Sequence, residues 1–380
     1  MTFALSPEHE TFRGVVREFA EVVIAPGAAA RDRRHEFPLD IVAEMGRLGL
    51  LGLPFEDEDG GTGGDFTSLC VAIEEIGRID QSVGITLEAA VGLGINPIAR
   101  FGTREQKQRW LPDLIAGRAL AAFGLTEPDG GSDAGATRTK AEVDGDEWVI
   151  NGAKAFITNS GTPITSVITV TAATGPGEIS TILVPADTPG LTIEPGYDKL
   201  GWRASDTHGL TFEECRVPAE NLLGERGKGF GQFLSTLDDG RIAIAALALG
   251  LARACLELSV DYAGNRRAFG APIGAKQGLA FQLADLAVMV EASRLLVYKA
   301  AWLRDDGRPI TQAASIAKLY STEAAVTATR IATQVFGGAG FIEDSPVARF
   351  YRDAKVLEIG EGTSEIQRIV ISRGLGLPTE

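Results

Sequence analysis

The feature that most constrains the fold is a double change in hydrophobic period. From Ser6 to about Arg118 apolar residues recur at helical spacing, with Phe12, Val15, Val16 and Phe19 forming one stripe and Ile41, Met45, Leu48 and Leu51 another. Near Ala121 this gives way to short β-prone runs at Ser166 to Thr171, Ser180 to Val184 and Gly209 to Phe212, separated by Pro and Gly. From Gly229 the helical period returns and holds through Ile242 to Arg266, Gln277 to Leu303 and Pro309 to Phe336. The pattern predicts an α+β multidomain chain: helices over 1–120, a compact β domain over 121–228 and a second helical domain over 229–380.

Local punctuation supports these elements. Ser6-Pro7-Glu8 opens a helix, with Ser6 as N-cap and Pro7 at its first position. Asp144-Gly145 and Asn151-Gly152 read as two hairpin turns. The glycine-rich stretch 55–65 lacks a following Lys-Ser/Thr pair and a surrounding βαβ unit, so it reads as a connection rather than a phosphate loop.

A formal charge of −15 and a pI near 4.8 argue against binding to nucleic acid or anionic lipid. Cys70, Cys215 and Cys255 are scattered without CxxC spacing, and His9, His35 and His208 are isolated, so neither a disulfide framework nor a metal centre is expected. The N-terminal residues do not read as a secretory signal, and the longest apolar segment, Ile242 to Leu251, is too short to span a bilayer. The expectation is a cytoplasmic protein.

Chemistry is suggested at two places. The loop Ala122 to Asp133 combines small residues, hydroxyls and backbone freedom, and such a loop lets NH and OH groups approach a flat heterocycle or a pyrophosphate. In Glu358 to Arg368, Glu361 stands between Gly360 and Gly362; pattern alone makes it a solvated residue before a helix capped by Thr363 or Ser364.

Six motifs change that reading by occurring together and in order: GLTEPDGGSD, NGAKAFITNS, NRRAFG, QVFGGAGF, RDAK and GEGTSEIQR. In this the chain resembles the acyl-CoA dehydrogenase family of flavoenzymes along essentially its whole length. The resemblance implies an N-terminal helical domain, a middle β-barrel domain and a C-terminal four-helix bundle, assembled as a homotetramer (a dimer of dimers). It also implies FAD as cofactor, a saturated acyl-CoA as substrate and electron-transferring flavoprotein as electron acceptor.

Residue by residue, the resemblance gives Phe123, Leu125, Thr126, Gly131 and Ser132 to the isoalloxazine and FAD phosphates, with Phe156 and Thr158 covering the ring near N5. Arg266, Phe269 and Gln277 match contacts to the FAD diphosphate end; Gln334, Gly337 and Gly338 match contacts supplied across a dimer interface; Thr363 and Glu365 match a further FAD contact. Ser132, Asp238, Arg241 and Gly362 match positions near substrate, although Arg241 also reads as an ordinary helix ion pair. Glu361 matches the base that removes the α-proton while the β-hydrogen leaves as hydride to flavin N5, giving a trans-2-enoyl-CoA.

Two positions refine the expectation. One branch of the family takes its base from the place held here by Gly240, which leaves Glu361 as the family-type base. Many relatives have Tyr where this chain has Gly360, and the missing wall predicts room for α-branched acyl groups. By rough alignment the floor of the acyl pocket is near Ile85 to Ala89, where Glu88 reads equally as a wall group or a solvated helix residue. The substrate expectation is a short- to medium-chain or branched acyl-CoA, with the pathway open. Two alternatives are an acyl-CoA oxidase-type flavoenzyme and a non-catalytic FAD-binding relative.

Overall fold

The structure, a computed structural model, describes residues 5–378. Ser6 accepts a hydrogen bond from the His9 NH at 3.2 Å and so starts the helix Pro7–Phe19. Val16 and Phe19 face the core, but Val15 points to solvent, so the first stripe is narrower than its spacing suggests. In the helix Leu39–Arg47, Ile41 and Met45 are buried as expected. The stretch 55–65 ends on Asp65, whose carboxylate accepts from Ser68 NH at 2.7 Å and caps the helix Phe66–Ile79. Next comes Gln81–Glu88, which continues directly into a π-helical segment, Ala89–Ile95.

Eight strands follow: β1 (Leu120–Gly124), β2 (Lys140–Asp144), β3 (Glu147–Thr158), β4 (Thr165–Gly175), β5 (Glu178–Pro185), β6 (Leu191–Ile193), β7 (Thr207–Pro218) and β8 (Leu222–Leu223). They form one mixed sheet in the order β6-β7-β3-β2-β4-β5-β8, with β1 parallel to β4. Within the described residues the path is open at β6 and β8, so the expected barrel is not closed by hydrogen bonds. The sheet has its own core, which draws on six strands and includes Ala122, Trp148, Ile168, Ile182 and Phe212.

Two local expectations need correction. Asp144-Gly145 does make the β2–β3 turn, but Asn151-Gly152 lies inside β3, where the register with β7 shifts and Gly152 adopts φ +147°. A Cβ there would lie 2.7 Å from Thr139, so glycine permits a bulge and close approach rather than a hairpin. Residues 122–124, read as loop, belong to β1. Their partner β4 lies about 45 residues away and runs parallel, a pairing with no local signature.

Three long helices complete the chain, Gly229–Asn265 (the central helix), Gln277–Asp305 and Thr311–Phe336, with the short helices Pro346–Ala354 and Ser364–Gly374 after them. The central helix starts at Gly229, where the helical period returns in the sequence. Its buried Arg253 donates to Glu74 at 2.8 Å and to Glu75 at 2.7 Å, tying the N-terminal helices to the C-terminal ones. Burial pushes the Glu75 carboxyl up, but hydrogen bonds from Arg253 and Arg17 outweigh it and bring it to about 2. Gln81–Phe101 and the central helix are both long and apolar enough to cross a membrane, contrary to the estimate from Ile242 to Leu251. Their most apolar windows are 94% and 78% buried inside the protein, as core helices are. The three cysteines are buried and free, as expected of structural thiols.

Candidate active site

The Glu361 turn follows the 3-10 turn Lys355–Glu358 and ends where Thr363 caps Ser364–Gly374, its side chain accepting from Ile366 NH. Thr363 is therefore the cap, while the Ser364 hydroxyl is buried without a partner. Glu361 adopts φ +52° and Gly362 φ +94°, left-handed conformations that put the turn back over the central helix. Gln367 Nε2 holds the turn through the carbonyls of Glu361 (3.2 Å) and Gly362 (2.9 Å). The Glu361 NH has no acceptor among the described residues.

The turn does not leave Glu361 solvated. Part of the residue is exposed, but both carboxyl oxygens are removed from solvent and have no hydrogen-bond donor from an ordinary donor group. The carboxyl enters a space over Gly240: a Cβ at Gly240 would meet Glu361 Oε2 at 2.0 Å. From the other side comes Glu88, wholly buried at the junction of its helix with the π-helical segment. A Cβ at Gly92 would lie 3.1 Å from Glu88 Oε1, so glycine makes room for the second acid as well. Glu88 is thus buried beside Glu361 and not a solvated helix residue.

The four carboxyl oxygens have no other hydrogen-bond partner, and the two acids lie close enough to shift each other's protonation, so they titrate as a pair able to share one proton. Burial, then the neighbouring Glu361, push Glu88 well above the carboxylate range, so Glu88 keeps its proton. Burial also pushes Glu361 up to about 7, against the pull of the Glu88 hydrogen bond and of nearby Arg241 and Lys318. A carboxyl that titrates near neutrality, away from water, is suited to taking up a proton from carbon. Arg241 is almost buried and pairs with Asp238 at 2.7 Å, so the ion-pair reading and the proximity to Glu361 hold together.

A second group of residues lies where β1 ends. Phe123 stacks on Phe233 of the central helix with centroids 5.9 Å apart. Ala155 NH bonds the Thr126 carbonyl at 2.8 Å, which brings Leu125 and Thr126 beside Phe156 and Thr158. Lys154 secures the junction, its buried ammonium donating to Leu125 O (3.1 Å), Glu127 (2.8 Å) and Thr171 (3.3 Å). Burial lowers the Lys154 pKa to about 8 against the Glu127 pair. Gly131 and Ser132 lie in the exposed loop beyond.

This region fits a flat heterocycle. Phe156 is 65% exposed at φ +60°, and it packs on one side against Tyr197 (5.1 Å). The hydroxyls of Thr126, Ser132 and Thr158 have no partner among the described residues.

The remaining expected cofactor residues are elsewhere. Arg266, Phe269 and Gln277 lie at the far end of the central helix, about 38 Å along its axis from Arg241. Gln334, Gly337 and Gly338 join them there, since Tyr262 stacks on Phe336 at 4.2 Å. Phe269 stands 96% exposed at φ +51°. Thr363 and Glu365 stay beside Glu361. The expected cofactor residues of one chain therefore fall into two groups far apart along the central helix. Sequence reasoning missed Lys318 and the proximity of Glu88 to Glu361; for the first, the available signal was a charged residue at helical spacing from Ala314, Ser321 and Ala325 on the small-residue stripe of its helix.

The acyl-CoA dehydrogenase N-terminal, middle and C-terminal domains match residues 6–118, 122–215 and 227–376. The chain belongs to the acyl-CoA dehydrogenase family. A probable acyl-CoA dehydrogenase of Bacillus subtilis is 51% identical to it, with 99% of this chain and all of the relative covered. The short-chain specific mitochondrial acyl-CoA dehydrogenase of Mus musculus is 46% identical, over 97% of this chain and 90% of the relative. Among solved structures, butyryl-CoA dehydrogenase from Megasphaera elsdenii superposes with a TM-score of 0.96 at 41% identity, covering 99% and 100% of the two chains. A chain solved in a study of the electron transferring flavoprotein of Acidaminococcus fermentans matches with the same TM-score at 42% identity, covering 99% of each. This acyl-CoA dehydrogenase is thus an oxidoreductase that dehydrogenates acyl-CoA and takes FAD as its cofactor.

Proposed function

We propose that this acyl-CoA dehydrogenase acts on short acyl-CoA thioesters, with Glu361 as the base that removes the α-proton. The carrying observation is Glu88: a wholly buried acid that acts directly on Glu361 leaves little depth beside the base for a long acyl chain. The short-chain specific mouse enzyme and the butyryl-CoA enzyme support the same chain length. FAD bound at Thr126, Phe156 and Thr158 supplies the hydride acceptor.

The chain's own contributions follow from the geometry. Glu361 is ionised in part at neutral pH and has no water shell, so it accepts the α-proton without first shedding solvent. The free Glu361 NH provides a donor for the thioester oxygen as negative charge develops there. Gly360 adds room, since a Cβ at that position would meet only Val356 O at 3.6 Å, and 2-methyl-branched acyl groups fit this reading.

The half-site at the far end of the central helix is too distant to serve the same chain's flavin, which supports a homo-oligomer of the tetrameric kind whose copies exchange Arg266, Phe269, Gln277, Gln334, Gly337 and Gly338. Electron-transferring flavoprotein as acceptor, and a cytoplasmic location, belong to the same reading. Anaerobic bleaching of the FAD-loaded protein by saturated acyl-CoAs of four to sixteen carbons tests it. The proposal expects the fastest reduction at the short end; a maximum at long chains contradicts it.

A further inference from the structure

Lys318 is fully buried in the helix Thr311–Phe336 and touches the Glu361 turn, donating to the Gly362 carbonyl at 2.8 Å. That carbonyl already has a donor in Gln367, which also holds the Glu361 carbonyl. The hydrogen bond alone therefore does not require an ammonium there, and burying one is costly. What lysine adds is charge. Among the described residues Lys318 has no carboxylate within ion-pair distance, whereas Arg241, the other cation near Glu361, is engaged by Asp238 at 2.7 Å. Ser315 and Ser321, one turn before and after Lys318, bury hydroxyls without partners, so neither solvates its ammonium.

The charged groups that face Glu361 are Glu88 from the helix Gln81–Glu88, Asp239 and Arg241 from the central helix, and Lys318. Those that face Lys318 are Glu361, Arg241, Glu358 and Glu365. Burial brings the Lys318 pKa down to about 8 against the pull of Glu361, which leaves it mainly protonated at pH 7.

We propose that Lys318 is the uncommitted counter-charge that keeps the Glu361 carboxylate available at neutral pH, in a site where burial favours the protonated acid. It is a positioning residue: it touches no reacting atom and acts through the base and its turn. The inference rests on Glu361 being that base.

The test uses Lys318→Gln, Lys318→Met, Lys318→Arg and Glu361→Gln in the FAD-loaded enzyme. Anaerobic flavin reduction by butyryl-CoA is followed against pH. In parallel, difference infrared titration follows the protonated-carboxyl band that Glu361→Gln removes, and FAD content and thermal midpoint report folding. Loss of the charge should move both the rate limb and the carboxyl titration alkaline by about one pH unit, a roughly fivefold loss of rate at pH 7 that recovers at high pH. Lys318→Arg should restore the wild-type midpoint. Should Lys318→Met fail to fold, Lys318→Gln carries the test, because Gln367 still holds the turn. Midpoints unchanged in Lys318→Gln, with Glu361→Gln inactive, overturn this inference alone. Glu361→Gln that still bleaches the flavin overturns the base assignment and this inference with it.

Discussion

A Cβ on Gly240 would lie 2.0 Å from Oε2 of Glu361, so the Glu361 carboxyl occupies volume that only glycine leaves open. The atom in the way is the tip of a flexible side chain. Gly240→Ala should therefore fold and bind FAD normally while displacing the carboxyl. A misplacement of about 1 Å is expected to lower the rate of flavin reduction roughly 100-fold. Stopped-flow reduction by butyryl-CoA checks this; a wild-type rate would show that the carboxyl works from another position.

The Glu88 pair makes a signed prediction. The base must be ionised, so the rate rises with pH through the Glu361 pKa, near 7. Protonated Glu88 lowers that pKa by donating a hydrogen bond. Glu88→Leu removes the donor and should shift the limb alkaline, whereas Glu88→Gln keeps a donor and should shift it little. An acid shift in Glu88→Leu would mean that Glu88 is ionised and repels Glu361.

Lys154 joins Leu125 O to Glu127 beneath the loop proposed to face the flavin, and Glu127 in turn accepts from the Arg138 and Thr139 NH groups. Lys154→Met leaves Glu127 buried without its cation, a loss that typically costs about 3–5 kcal/mol. Part of this should appear as weaker FAD affinity, measured by fluorescence titration of the apoprotein. Unchanged affinity with a lowered thermal midpoint would confine Lys154 to the stability of the sheet.

Gly360 has space for a side chain, with its nearest neighbour 3.6 Å from a built Cβ. Gly360→Tyr should be accommodated and should reduce turnover of a 2-methyl-branched acyl-CoA more than that of the linear one. Equal preference in both proteins would remove Gly360 from substrate selection.

Much of this was legible before the structure. The helix–sheet–helix order follows from the periods, because burying one face of each element imposes its spacing. The family was legible through ordered motifs, which also single out Glu361 and the hydroxyls at 126, 132 and 158. What local sequence did not encode was pairing over distance. The parallel β1–β4 contact, the bulge at Gly152 and the meeting of Glu88 with Glu361 depend on partners far along the chain. Gly240 read as an absent base, and the fold gives it a positive function as the space that Glu361 fills.

The central claim is that Glu361 takes the α-proton. The most direct measurement is exchange of the butyryl-CoA α-hydrogen with D2O, alongside anaerobic flavin bleaching, in wild type and Glu361→Gln. The account predicts that the variant binds FAD and substrate normally but loses both exchange and bleaching by roughly 100- to 10,000-fold, the usual share of a general base. Exchange at the wild-type rate in Glu361→Gln would contradict it and assign the proton to another group.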